Sequence, residues 1–68
     1  MDDAIKKLNV LLDYIIKHNA EHAEEIRELA EGAKRLGETA AQAKIESGVE
    51  LLLRSNEELK AAYAILQK

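Results

Sequence analysis

Along the first half of the chain, apolar or small side chains recur at Ile5, Leu8, Leu12, Ile15, Ile26, Leu29, Ala33 and Leu36, with Asn19 and His22 filling the same rhythm between them. The steps alternate between three and four residues. Residues so spaced stack on one side of an α-helical turn, so the pattern predicts a single helix from about residue 3 to residue 36. A second stripe of the same spacing, Ile45, Val49, Leu52, Asn56, Leu59, Tyr63 and Leu66, predicts another helix over about residues 40–67.

Between the stripes lies LGETAAQ. Gly37 follows the last stripe residue, where helices commonly end in a left-handed conformation that costs glycine nothing. Thr39 and Gln42 match a capping box, in which the threonine oxygen and the glutamine side chain satisfy free backbone N–H groups at a helix start. The turn is therefore expected over residues 37–39. Ser47-Gly48 is the weakest point of the second helix, because glycine in a helix interior costs about 1 kcal/mol relative to alanine. An alternative parse breaks the first segment near Asn19, which then caps a helix starting at Ala20, and yields a three-helix bundle.

The expected fold class is all-α: a single domain over 1–68, folded as an antiparallel helical hairpin. A hairpin buries one stripe on each helix, yet this sequence carries further apolar residues off the stripes: Val10, Leu11, Tyr14 and Ile16, then Leu51, Leu53 and Ile65. These are the expected oligomer interface, and the simplest closed assembly is a homodimer forming a coiled-coil-like four-helix bundle. A helical protein partner would cover the same residues.

Composition narrows the classes further. Hydrophobic residues make up 47% and charged residues 34% of 68 residues, with no proline, a balance typical of long amphipathic helices rather than strands. Without cysteine there is neither a disulfide nor a thiolate metal site, so so short a chain must find its stability in helix packing or association. The net charge of -3, with lysines and arginines interleaved among acids, argues against nucleic acid and anionic membrane as partners. The apolar runs are a few residues long, far short of the ~20 that cross a bilayer, and the start MDDAIKK is unlike a signal peptide. The expected compartment is the cytoplasm.

The chemistry-bearing residues concentrate in HNAEHAEE, residues 18–25. Folding the two stripes together about the turn sets His22 against Asn56, with Asn19 one layer further on. These three are expected to form a polar core layer that fixes helix register, since buried polar groups must satisfy one another. A second reading is a transition-metal site for Zn²⁺, Ni²⁺ or Co²⁺: His18 and His22, four apart on one helix face, supply two imidazoles. Further ligands would come from Glu21, Glu25 or a second copy, two histidine pairs satisfying tetrahedral coordination. No enzyme is expected. HNAEH lacks the general-base glutamate of H-E-x-x-H, there is no glycine-rich phosphate loop, and the chain is too short to enclose a substrate pocket.

HNAEHAEEIRELAEGAKRLG, followed by a helix containing SNEELKAA, resembles small uncharacterised prokaryotic helical-hairpin domains that carry an H-N-x-x-H-A-E-E segment and a later asparagine. The resemblance covers most of the chain and matches His18, Asn19, His22 and Asn56. It implies a helical hairpin and no particular activity.

Overall fold

Asp2 opens the first helix: its carboxylate accepts from the backbone N–H of Ala4 at 2.9 Å, satisfying one of the donors that a helix start leaves free. In the computed structural model, which describes residues 2–67, helix α1 runs Asp3–Arg35 and helix α2 runs Thr39–Leu66. The two pack against each other as a hairpin. The result is a rod of 54 × 14 × 12 Å, its length set by the 33 residues of α1 at about 1.5 Å each.

The turn is built by hydrogen bonds that close the end of α1. Gly37 takes φ +77°, its N–H donates to the Lys34 carbonyl at 3.0 Å, and the Glu38 N–H reaches back to the Ala33 carbonyl at 2.9 Å. This pair of bonds is the Schellman arrangement, and Lys34 and Arg35 place positive charge where the helix dipole is negative. The expected capping box does not form. Thr39 is already helical, Glu38 occupies the cap position without a side-chain bond, and the Gln42 side chain turns forward to Glu46 at 3.4 Å. With the α1 end so closely tied, α2 starts a residue earlier than the threonine cap would require.

Neither helix breaks in its interior. α1 passes straight through Asn19, which overturns the three-helix alternative: the Asn19 side chain bonds across to α2 rather than capping a new start. α2 likewise continues through Ser47 and Gly48.

The packing face of α1 differs from the expected one in phase. Ile5, Leu12, Ile26, Ala33 and Asn19 do face α2, but the alternate positions are Asn9, Ile16, Ala23 and Ala30 in place of Leu8, Ile15, His22 and Leu29. Ala23 and Ala30 are fully buried, as is Val49 on α2. The physical reason is close approach. Alanines let the helix backbones come together around Val49, Leu52 and Asn56, whereas side chains as large as His22 and Leu29 on this seam would hold them apart. The α2 stripe is the expected one, with Val49 and Asn56 buried and Ile45, Leu52, Leu59, Tyr63 and Leu66 half-buried.

Among the described residues no helix is long and apolar enough to cross a membrane. Of the charged pairs at i,i+4, Asp13 and Lys17 meet at 3.0 Å, while Glu24–Arg27 at 2.6 Å and Glu57–Lys60 at 2.9 Å close at i,i+3. All are exposed and contribute a few tenths of a kcal/mol each.

Candidate functional site

Two polar constellations lie at the middle of the rod, one inside the hairpin and one outside. Inside, Asn56 is the only buried polar residue among those described, at 3% exposure. Its Nδ2 donates to the backbone carbonyl of Ile16 at 3.0 Å, and its Oδ1 accepts from Asn19 Nδ2 at 3.2 Å. Asn56 thus engages α1 with both ends of its carboxamide, and no buried side-chain nitrogen or oxygen in the described residues is left without a partner. A carboxamide satisfied in this way opposes sliding, because a shift of either helix by one turn strands a buried donor and acceptor. A second, exposed cross-link, Gln67 Nε2 to Asn9 Oδ1 at 3.0 Å, ties the open end of the hairpin.

His22 is not part of this layer. Its side chain is 47% exposed, on the outer side of α1, because Ala23 takes the inward position that the sequence pattern assigned to it. What His22 meets instead is His18: the two Nε2 atoms lie 2.8 Å apart, one ring donating to the other. The rings are nearly perpendicular, with centroids 4.3 Å apart. Tyr14 stacks on the other side of His18 at 5.6 Å and 11°, and Glu25 Oε1 stands 3.9 Å from His22 Nδ1. Tyr14, His18, His22 and Glu25 therefore form an aromatic and polar ladder climbing the outer face of α1.

The expected metal set of His18, His22, Glu21 and Glu25 is only half assembled. The two imidazole nitrogens converge, but Glu25 lies on the opposite side of the His22 ring from Nε2, and no group of three or more histidine or acidic side chains among the described residues is arranged to hold an ion. Helix geometry explains this. Side chains four apart can meet at their tips, whereas Glu21 is turned about 80° around the helix from that point and Glu25, three residues beyond His22, approaches the Nδ1 side of its ring at 3.9 Å.

Around the ladder runs an unpartnered apolar face. Leu8, Val10, Leu11, Tyr14, Ile15 and Leu29 of α1 and Leu36 at its C-cap are exposed, as are Leu51 and Ile65 of α2. Of the residues expected at an oligomer interface, Val10, Leu11, Tyr14, Leu51 and Ile65 are among these, while Ile16 and Leu53 are half-buried within the chain. The sequence pattern places Leu8, Ile15, Leu29 and Leu36 in the core, but they lie outside it, Leu29 at 64% and Leu36 at 80% exposure. A signal for this was present: Ile5, Asn9, Leu12, Ile16, Asn19, Ala23, Ile26, Ala30 and Ala33 follow the same alternation of three and four, with small residues marking the tight seam.

The electrostatics differ along the rod. Toward the turn, a groove between the helices is lined by Glu24, Glu28 and Glu31 of α1 and Glu46 and Glu50 of α2, with Arg27 the one cation in its wall. Toward the termini, Lys6 and Lys7 flank the exposed Val10 and Leu11.

Residues 8–66 match the model of a domain of unknown function, DUF8180, and the chain belongs to that family. No curated protein and no solved structure matches it.

Proposed function

We propose that this member of the family is a non-enzymatic assembly module that pairs with a second copy of itself, two hairpins lying side by side as an antiparallel four-helix bundle. The observation that carries the reading is surface area. The hairpin exposes 5319 Å², whereas a compact monomer of 7.6 kDa exposes about 4300 Å² by the usual scaling with mass. The excess, about 1000 Å², is close to the ~800 Å² that each partner contributes to a protein interface of standard size. Its radius of gyration, 15.8 Å, exceeds the ~11 Å of a globule of this length for the same reason. Three fully buried apolar residues, two of them alanines, are a small core for so long a rod.

A second copy suits the exposed face better than an arbitrary partner, because the face is self-complementary. A two-fold axis crossing α1 midway between positions 18 and 19 sets Leu8 against Leu29 of the second copy and Ile15 against its His22. It also brings Lys6 opposite the second copy's Glu31. Asp13 and Glu24 meet under the same operation, but each already holds its own cation, Lys17 at 3.0 Å and Arg27 at 2.6 Å. On α2, Leu51 and Ile65 are equidistant from Glu58, two residues or about 3 Å of rise beyond Asn56, so the same axis brings Leu51 of one copy within about 6 Å along the rod of Ile65 of the other, roughly one helical turn.

In this reading the Asn19–Asn56 layer sets the register within each hairpin, and the outer apolar face sets the partner. A rod of 14 × 12 Å in section has no thickness from which to wall off a reaction, which supports binding rather than catalysis. Sedimentation equilibrium tests the proposal: the expected mass at micromolar concentration is twice 7.6 kDa. A chain that is helical and sediments at its single-chain mass overturns it.

A further inference from the structure

We infer that the paired chains build a binding site for one divalent transition-metal ion from four imidazoles, His18 and His22 of each copy; the site rests on the self-association described above.

Within one chain the donors are aimed but too few. The two Nε2 atoms converge to 2.8 Å, and no further histidine or acidic group among the described residues joins them. A tetrahedral ion takes four ligands, so one hairpin offers half of a site and a second hairpin offers the other half.

The position of the pair supplies the symmetry. The axis that sets Leu8 against Leu29 of the second copy passes between positions 18 and 19, beside His18. Side chains on a helix lean toward its N-terminus, so the His22 ring reaches back over the preceding turn to meet His18, and both Nε2 atoms gather near the level of the axis. Two such pairs facing each other across the axis present four nitrogens around one point.

The surroundings favour the arrangement. Tyr14 stacks on His18, and Glu25 Oε1 stands 3.9 Å from His22 Nδ1, beyond hydrogen-bond distance in the single chain but within a small side-chain adjustment of accepting its N–H, the outer-shell contact that leaves Nε2 free as a ligand. Metal–imidazole bonds of about 2.0–2.1 Å at a tetrahedral angle separate two nitrogens by about 3.3 Å, so the rings part by roughly half an ångström as the ion enters. The proton now shared between the Nε2 atoms moves to the Nδ1 of the donating ring. Four neutral imidazoles suit Zn²⁺, Co²⁺, Ni²⁺ or Cu²⁺ and discriminate against Mg²⁺ and Ca²⁺, which need oxygen ligands.

The test uses the full chain, stripped of metal, titrated with CoCl₂ and followed by visible absorption, with ZnCl₂ as competitor and with sedimentation and circular dichroism in parallel. The expected result is one ion per two chains, the intense bands of tetrahedral Co²⁺, displacement by Zn²⁺, and no displacement by MgCl₂ or CaCl₂. His18→Ala and His22→Ala should each weaken binding by ~10-fold or more while helicity stays unchanged, since loss of a ligand costs at least what loss of an outer-shell partner does. One ion per chain, a six-coordinate Co²⁺ spectrum, or no binding by a chain that sediments as a dimer overturns the site and leaves the pairing standing. A helical chain that sediments as a monomer overturns the pairing, and the shared site with it.

Discussion

The carboxamide of Asn19 donates to the carboxamide oxygen of Asn56 at 3.2 Å, joining residues 37 positions apart in sequence at the midpoint of the hairpin. Asn56 passes its own N–H to the Ile16 carbonyl at 3.0 Å, so one buried side chain holds two points on the opposite helix. Truncating it leaves the Asn19 donor facing a void. Asn56→Ala is expected to cost ~1–3 kcal/mol in urea denaturation, the range for an abandoned buried polar group. The paired change Asn19→Leu with Asn56→Leu should recover most of that loss while broadening the amide NMR spectrum, because an apolar pair tolerates several registers. A single Asn56→Ala variant as stable as the parent would show that the layer contributes nothing to folding.

Gly37 and Gly48 differ in what they do. Gly37 sits at φ +77°, where a side chain is strained, so Gly37→Ala should lower stability by about 1 kcal/mol. Gly48 lies inside α2 and an added Cβ meets nothing within 4 Å, so Gly48→Ala should raise stability by up to about 1 kcal/mol, read as the shift of the thermal midpoint. Equal effects at the two positions would contradict the hairpin turn.

Ala23 and Ala30 mark where the helices come closest, with Ala23 at 1% exposure. Ala23→Leu is expected to destabilise by ~1–3 kcal/mol through overpacking, whereas Ala20→Leu, on an exposed position of the same helix, should change stability by less than about 0.5 kcal/mol. Denaturant melts of the two variants side by side check the phase of α1 directly. The opposite order would restore the frame in which His22 faces inward.

Self-association makes its own prediction at Ile15 and Leu29. Both are exposed in the hairpin, and in the proposed pairing both face the second copy, so Ile15→Glu and Leu29→Glu should halve the sedimenting mass. Helicity at high protein concentration should fall little, because neither residue packs against α2. A charge at Val49, buried in the hairpin itself, should instead unfold the chain; Val49→Asp is the control that separates the two surfaces.

The amino-acid sequence by itself determined the two helices, their antiparallel turn at Gly37, the inward stripe of α2, and the presence of more apolar surface than a hairpin can cover. Each is written in local terms: the alternation of three and four, a glycine where a left-handed residue is needed, and absence of proline between. It also placed Asn19 and Asn56 in one polar layer, since polar residues interrupting two facing stripes have few other places to bond, but it set His22 against Asn56 where the structure sets Asn19. Only the tertiary structure decided which of two interleaved stripes of α1 faces α2. Both have the same period, so periodicity cannot separate them, and hydrophobicity points to the leucines at 8 and 29. Packing chose the alanines at 23 and 30, because two helix backbones approach closest over small side chains. That rotation of about 50°, half a residue, carried His22 out of the core, set it against His18, and left the leucines on the outside.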